Sequence, residues 1–220
     1  MNELAISSAD EPPEPPTVDD ELQHILAHQM NLFGINFNER SPDSNIIKQY
    51  SDVKILHDWL KEDGSNGDLN LLYRSSRDGL TNQNFHSKCD NKGRTIVIIQ
   101  TTKGGVVGGY TNTAWKGSFN QGSQHCYGFA NKAFLFALSG FGLTSPCKMK
   151  LKNASRQYAI YNHSSCGPAF GQGNDFAVND SKVYLSTGVT YERGPSHQLI
   201  GGDSYDIKEM EVFQVTDNPS

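Results

Sequence analysis

Apolar positions along the chain recur first at helical and then at strand spacing. Leu22, Ile25, Leu26 and Met30 share one stripe behind Asp19 and Asp20, which can cap a start, so a short amphipathic helix ending near Gly34 is predicted. Ile46, Tyr50, Val53, Leu56 and Leu60, with Trp59 beside them, predict a second helix over about 45–62. Asp63-Gly64-Ser65-Asn66-Gly67-Asp68 ends it, because Gly and Asn accept the left-handed backbone that a reversal needs. Both helices are expected to cover the domain that follows.

From Leu71 the pattern is that of short strands. Leu71-Leu72-Tyr73 reads as buried, and Arg77-Asp78-Gly79 as a turn fixed by the Asp side chain and a positive φ at Gly. Thr81 is the expected N-cap of a helix through Cys89, with Phe85 and Cys89 on one face and Asn91-Lys92-Gly93 as its stop. Thr95 to Ile99 is β-branched without alternation, which predicts a strand buried on both faces. Lys103-Gly104-Gly105 predicts a hairpin turn and Val106 to Thr111 its return strand. There Gly108 and Gly109 allow a backbone or an aromatic ring to approach closely. Residues 114–130 read as a loop. Further strands are predicted at Phe134–Leu138, at the lysine-protected edge Lys148-Met149-Lys150-Leu151-Lys152, at Tyr158–Tyr161, Phe176–Val178 and Val183–Leu185, and from about Ile207 to Val215. Helices followed by many short strands give an α+β domain, its core two antiparallel sheets.

Composition adds a turn-rich character: 220 residues hold 21 Gly, and hydrophobic content is 36%. The net charge of −5 conceals an asymmetry. Residues 1–39 carry eight acidic groups and no Lys or Arg, whereas no acid lies between Asp90 and Asp175 and nine cations do. The basic middle could face an acidic partner or the acidic head, or be an ordinary solvated face. Glu11-Pro12-Pro13-Glu14-Pro15-Pro16 marks residues 1–17 as an extended acidic tail, residues 18–50 as a helical extension and 51–217 as the folded domain.

The four cysteines are widely spaced, no signal-peptide pattern opens the chain, and no apolar run approaches the ~20 residues of a membrane helix. Free thiols in the cytoplasm are therefore expected, which makes the sequons at Asn153, Asn162 and Asn179 irrelevant. Nucleic-acid binding has no module or charge to support it, and nothing indicates an oligomeric state.

The order of motifs is more specific than any one of them. It runs Leu72-Tyr73-x-x-Ser76-Arg77-Asp78-Gly79, Phe85-His86-x-x-Cys89-Asp90-x-x-Gly93-x-Thr95, Gly108-Gly109-Tyr110-Thr111-x-x-x-Trp115, then Ala133-Phe134-Leu135-Phe136-x-Leu138. It closes with Gly167-Pro168-x-Phe170-Gly171-x-Gly173-x-Asp175 and Glu209-Met210-Glu211-Val212-Phe213. Over roughly residues 52–216 this series resembles the TLDc domain. The resemblance implies a two-sheet β-sandwich flanked by helices. It also implies a eukaryotic protein linked to resistance against oxidative damage and, as in several members, binding to the vacuolar proton-pumping ATPase. No established catalytic mechanism accompanies the family, so a non-catalytic interaction module is expected. Fold resemblance alone does not carry function.

Four features invite chemistry. His86 and Cys89, at i and i+3, could form a thiolate nucleophile and support a thiol-dependent antioxidant or hydrolase; the alternative is a buried Cys89 and a hydrogen-bonded packing His86. His125 with Cys126 and His163 with Cys166 repeat the pairing, but their spacing suits no zinc motif, and neither metal nor cofactor is expected. Gly104-Gly105-x-x-Gly108-Gly109 runs into a strand rather than a helix and so is no phosphate cradle. Phe170 and Gly171 could present an aromatic anchor to a partner beside Lys148, Lys150 and Lys152, or Phe170 could plug the end of the sandwich.

Overall fold

The β-branched run at Thr95 becomes β2 (Thr95–Thr101), with Ile96, Val97, Ile98 and Ile99 all fully buried. Both faces are covered. Val97 and Ile99 enter one apolar cluster and Ile96 and Ile98 another. The hairpin follows as expected: Gly104 takes φ +83°, the Thr101 amide donates to the Gly105 carbonyl at 2.8 Å, and β3 (Val106–Thr111) returns in register.

The computed structural model describes residues 42–65, 67–117, 126–195 and 204–217, all within the compact unit Ser41–Ser220. The predicted tail, the predicted helix after Asp20, and Phe119 and His125 lie outside the described residues.

The remaining strands are β1 (Gly67–Arg74), β4 (Tyr127–Gly128), β5 (Ala133–Ser139), β6 (Cys147–Lys150), β7 (Ile160–Tyr161), β8 (Ala169–Phe170), β9 (Phe176–Asn179), β10 (Lys182–Leu185) and β11 (Ser204–Asp217). They pair antiparallel in one continuous path, β4-β7-β8-β9-β10-β11-β2-β3-β5-β6, with β1 also on β11. The mostly antiparallel character and the short helices agree with expectation; a single sheet stands where two were expected. The cause is β11, whose 14 residues pair β10 through Ser204–Asp206, β2 through Ile207–Gln214 and β1 through Glu211–Asp217. Strands far apart on the path nevertheless share one apolar cluster. Val97, Leu135, Phe170, Phe176, Val183 and Val212 all belong to it.

Helix α1 (Tyr50–Glu62) buries Val53, Leu56 and Leu60 against Ile96, Ile98, Tyr110, Phe134 and Phe213. Each such side chain contributes roughly 1.5–3 kcal/mol by leaving water. Trp59 packs edge-on to Phe134 at 6.3 Å. The helix begins five residues later than the apolar stripe predicts. The Ser44 hydroxyl accepts from the Ile46 and Ile47 amides, and Glu211 accepts from the Asn45 amide at 2.8 Å, so residues 44–47 are held in a turn. Ile46 and Ile47 still enter the α1 cluster from that turn. Two more differences are local: β4 lies within the predicted loop 114–130, and β8 within the glycine-rich loop.

Candidate functional site

Helix α2 (Ser75–Asp78) is one turn, and α3 (Asn82–Cys89) follows after Gly79 at φ +87°. Thr81 caps α3, its hydroxyl accepting from the Asn84 amide at 3.1 Å. The cap rotates Phe85 and Cys89 inward, where both are fully buried. Burial raises the Cys89 thiol's pKa, with the Asp90 and Asp78 carboxylates adding to the effect, so the thiolate is disfavoured.

His86 is held elsewhere. Its Nδ1 lies 2.8 Å from Asp90 Oδ1, and its Nε2 lies 3.0 Å from the Cys166 carbonyl and 3.2 Å from that of His163. The ring thus has a polar partner at each nitrogen. Asp90 also accepts from the Gly117 amide at 2.6 Å. His86 thus ties α3 to the segments around Gly117 and Cys166. Of the two readings of this pair, the arrangement matches a buried, small apolar Cys89 beside a hydrogen-bonded, bracing His86.

Phe170 is not an exposed anchor. It is fully buried in β8, edge-on to Trp115 at 5.3 Å, Phe176 at 5.6 Å and Tyr191 at 6.2 Å. The ring lies over Gly109, where an added Cβ would stand 2.8 Å from Phe170 Cζ. Gly171, also buried, turns the chain at φ +87° and donates to the Ala159 carbonyl. Asp175 closes this loop. It is fully buried, and its Oδ2 accepts from the Thr190 amide at 2.9 Å and the Tyr191 amide at 2.7 Å. Burial raises its pKa against the lowering effect of those amides. Gly167 and Pro168 pair with Val178 through backbone hydrogen bonds.

The motif residues around this core are buried or tied down. Trp115 donates to the Thr95 hydroxyl at 2.8 Å, and Tyr110 shares a 2.7 Å hydrogen bond with Ser65. Phe134 and Phe136 fill the α1 cluster, and an added Cβ at Gly108 would collide with the Val97 carbonyl and the Phe136 ring. Arg77 pairs with Asp78 at 2.8 Å, and Asp78 accepts from the Arg74 amide, which fixes the turn as expected.

The three lysines differ in availability. The Lys148 ammonium reaches the Trp59 carbonyl at 2.9 Å, Glu62 at 3.0 Å and Asp63 at 2.9 Å, and sits 4.4 Å from the Phe134 ring centroid. Its side chain is 7% exposed, so it fastens α1 to β6 and is not free for a partner. Lys152 donates to the Gly188 and Val189 carbonyls. Lys150 is exposed, and only its backbone is bonded within the described residues.

Clefts among the described residues include two on this surface. One of about 600 Å³ is lined by Tyr127, Tyr161, Tyr184, Cys166, Gln172 and Asn174 among others, with no charged side chain. The second, of about 270 Å³, lies at Lys132, Lys150 and Arg156. Among the described residues no group of three or more His, Cys, Asp or Glu side chains could hold a metal ion. The pair of His163 and Cys166 is engaged locally: the His163 ring stacks on Tyr161 and its Nδ1 meets the Ser165 hydroxyl at 2.6 Å. No helix among the described residues is long and apolar enough to cross a membrane.

Arg74, Ser75 and Phe129 are not among the residues that the sequence pattern marks. The alternation of Glu209 and Glu211 with Met210 and Val212 was the available signal for the first two, because acids inside an apolar strand need buried partners. Phe129 has no such signal, since it is one aromatic in a loop.

A family model described as the TLDc domain matches residues 41–216. No curated protein matches the chain.

Proposed function

The chain belongs to the TLDc domain family, and on that premise we propose that it is a non-catalytic protein-interaction module. The partner the family resemblance implies is the vacuolar proton-pumping ATPase, and the role it implies is support of resistance to oxidative damage in a eukaryotic cytoplasm. The observation that carries the reading is the fate of the pair of His86 and Cys89. Cys89 is sealed in the core, and both nitrogens of His86 are spent bracing the fold. A thiol-dependent antioxidant or hydrolase needs an exposed thiolate with an orienting base, and this pair provides neither. Four free cysteines are consistent with a reducing compartment. The shared apolar cluster between distant strands supports reading the continuous sheet as the family's sandwich folded over on itself.

The test is affinity capture from a eukaryotic lysate with the full chain as bait, followed by mass spectrometry. Enrichment of pump subunits over a bead control is expected. Capture of other proteins without pump subunits removes this partner and keeps the module.

A further inference from the structure

The strand path ends at β6, and the surface beside it is positive. The 270 Å³ cleft is lined by four cations, Lys132, Lys148, Lys150 and Arg156, against two carboxylates, Glu62 and Asp63, a surplus of two positive charges. Lys148 is nearly buried and pairs with both carboxylates, so it neutralises charge already present. The exposed cations are less engaged. Lys132 stands 3.8 Å from Asp63, Arg156 gives one nitrogen to Asn153 at 3.0 Å, and the Lys150 ammonium has no partner among the described residues. Glu192, outside the lining, accepts from the Lys150 amide rather than from its ammonium.

Phe129 gives a second, independent observation. It is 55% exposed, one of two large apolar side chains that the described residues leave bare. Its position is fixed. The Thr113 hydroxyl donates to the Phe129 carbonyl, and the neighbouring Ala130 amide donates to the Arg156 carbonyl at 3.0 Å. These bonds fix its backbone beside Arg156, two residues before the lining of the cleft begins at Asn131.

We propose that this cleft docks an acidic peptide segment of a protein partner, with carboxylates at Lys150 and Arg156 and an apolar residue against Phe129. This rests on the interaction reading and gives it a partner chemistry. A peptide can place charge and apolar surface separately, as the cleft does. A small free anion would make no use of the bare phenyl ring. A nucleic acid would bring its regular backbone charge against Glu62, Asp63 and Glu192, on a chain of net charge −5.

The test titrates the full chain into a fluorescein-labelled peptide alternating Glu and Leu, and into the same peptide with Lys for each Glu, by fluorescence anisotropy. The Glu peptide is expected to bind and to weaken with added salt. Lys150→Glu/Arg156→Glu weakens it about tenfold and lets the Lys peptide bind, and Phe129→Ser weakens it about threefold. All three side chains are exposed, so unchanged thermal midpoints are expected; if Arg156→Glu unfolds the chain, Lys132→Glu/Lys150→Glu asks the same question. Equal binding of both peptides by the native chain, or an unaltered affinity in the double variant, overturns the proposal. So does an oligothymidylate that binds more tightly than the Glu peptide through the same residues. In lysate capture, a double variant that keeps every partner of the native chain overturns the cleft and leaves the interaction reading intact. A native chain that captures none overturns the reading itself.

Discussion

The Glu211 carboxylate is wholly buried and accepts from Arg74 Nε at 2.7 Å, joining two neighbouring strands through a pair only 13% and 0% exposed. The same carboxylate takes the Ser44 hydroxyl at 2.5 Å and the Asn45 amide at 2.8 Å. One charge thus fixes β1, β11 and the turn that precedes α1. Glu211→Leu leaves Arg74 without its buried partner and frees residues 44–47. A loss of about 3–5 kcal/mol is expected, as for other buried pairs broken on one side. Arg74→Met/Glu211→Leu should lose less than Glu211→Leu alone, because no unpaired charge is left behind. Urea denaturation of the three proteins measures this, and a double variant less stable than the single one contradicts it.

Gly108 and Gly109 face different obstacles although they are adjacent. A Cβ at Gly109 meets the end of the Phe170 ring at 2.8 Å and Leu135 Cδ2 at 2.9 Å, both side chains that can shift. At Gly108 the obstacle includes the backbone carbonyl of Val97 on the paired strand. Gly109→Ala should cost about 1–3 kcal/mol by overpacking, and Gly108→Ala more. Adding Phe170→Leu should recover part of the loss at Gly109 and none at Gly108. Thermal unfolding of the four variants decides it, and equal rescue at both positions would contradict the arrangement.

Much of this was legible in the sequence where local chemistry decides. The Thr81 cap, the Gly104 turn, the doubly buried strand at Thr95 and the close approach at Gly109 all follow from residue type and spacing. Long-range decisions were not legible. Phe170 could be read as anchor or plug, and only the packing of Trp115, Phe176 and Tyr191 around it settles that. Lys148 follows the alternation of an edge strand, yet it is nearly buried against a pair of carboxylates at the C-terminal end of α1. The α1 start moved because Glu211, more than 160 residues away, competes for the Asn45 amide. A local pattern cannot contain a partner that arrives from the far end of the chain.

Cys89 should resist thiol reagents in the native protein. Its neighbours in the core include Phe85, Tyr73 and Trp115, while Cys126, Cys147 and Cys166 are only partly buried. Burial also raises its pKa, which removes the nucleophilic form. Timed labelling with iodoacetamide and peptide mass spectrometry should find Cys89 unmodified until denaturant is added. Cys89→Ala should lower stability by about 1–2 kcal/mol, near the value of the buried side-chain atoms removed. Modification of Cys89 at the rate of the other three would restore the thiol-enzyme reading.

Two buried carboxylates should give opposite pH dependences. Burial alone would raise the Glu209 carboxyl, but the hydroxyls of Ser75 and Ser76 and the Ser76 amide outweigh it, and its pKa lies below the ordinary 4.5. Ser75 Oγ donates at 2.5 Å and the Ser76 amide at 3.0 Å. A pKa lowered in the folded state means stability present above pH 4.5 and lost as pH falls through the folded value. Asp175 is the reverse: burial raises it above 3.8, so its contribution is greatest below that value and declines as pH rises through the folded pKa. The stability advantage of the native chain over Glu209→Gln should therefore shrink on acidification below about pH 4.5. Against Asp175→Asn the native chain should gain on acidification toward pH 3.8. Denaturant midpoints across this range for the three proteins check both signs, and parallel curves would show that neither carboxyl carries the assigned shift.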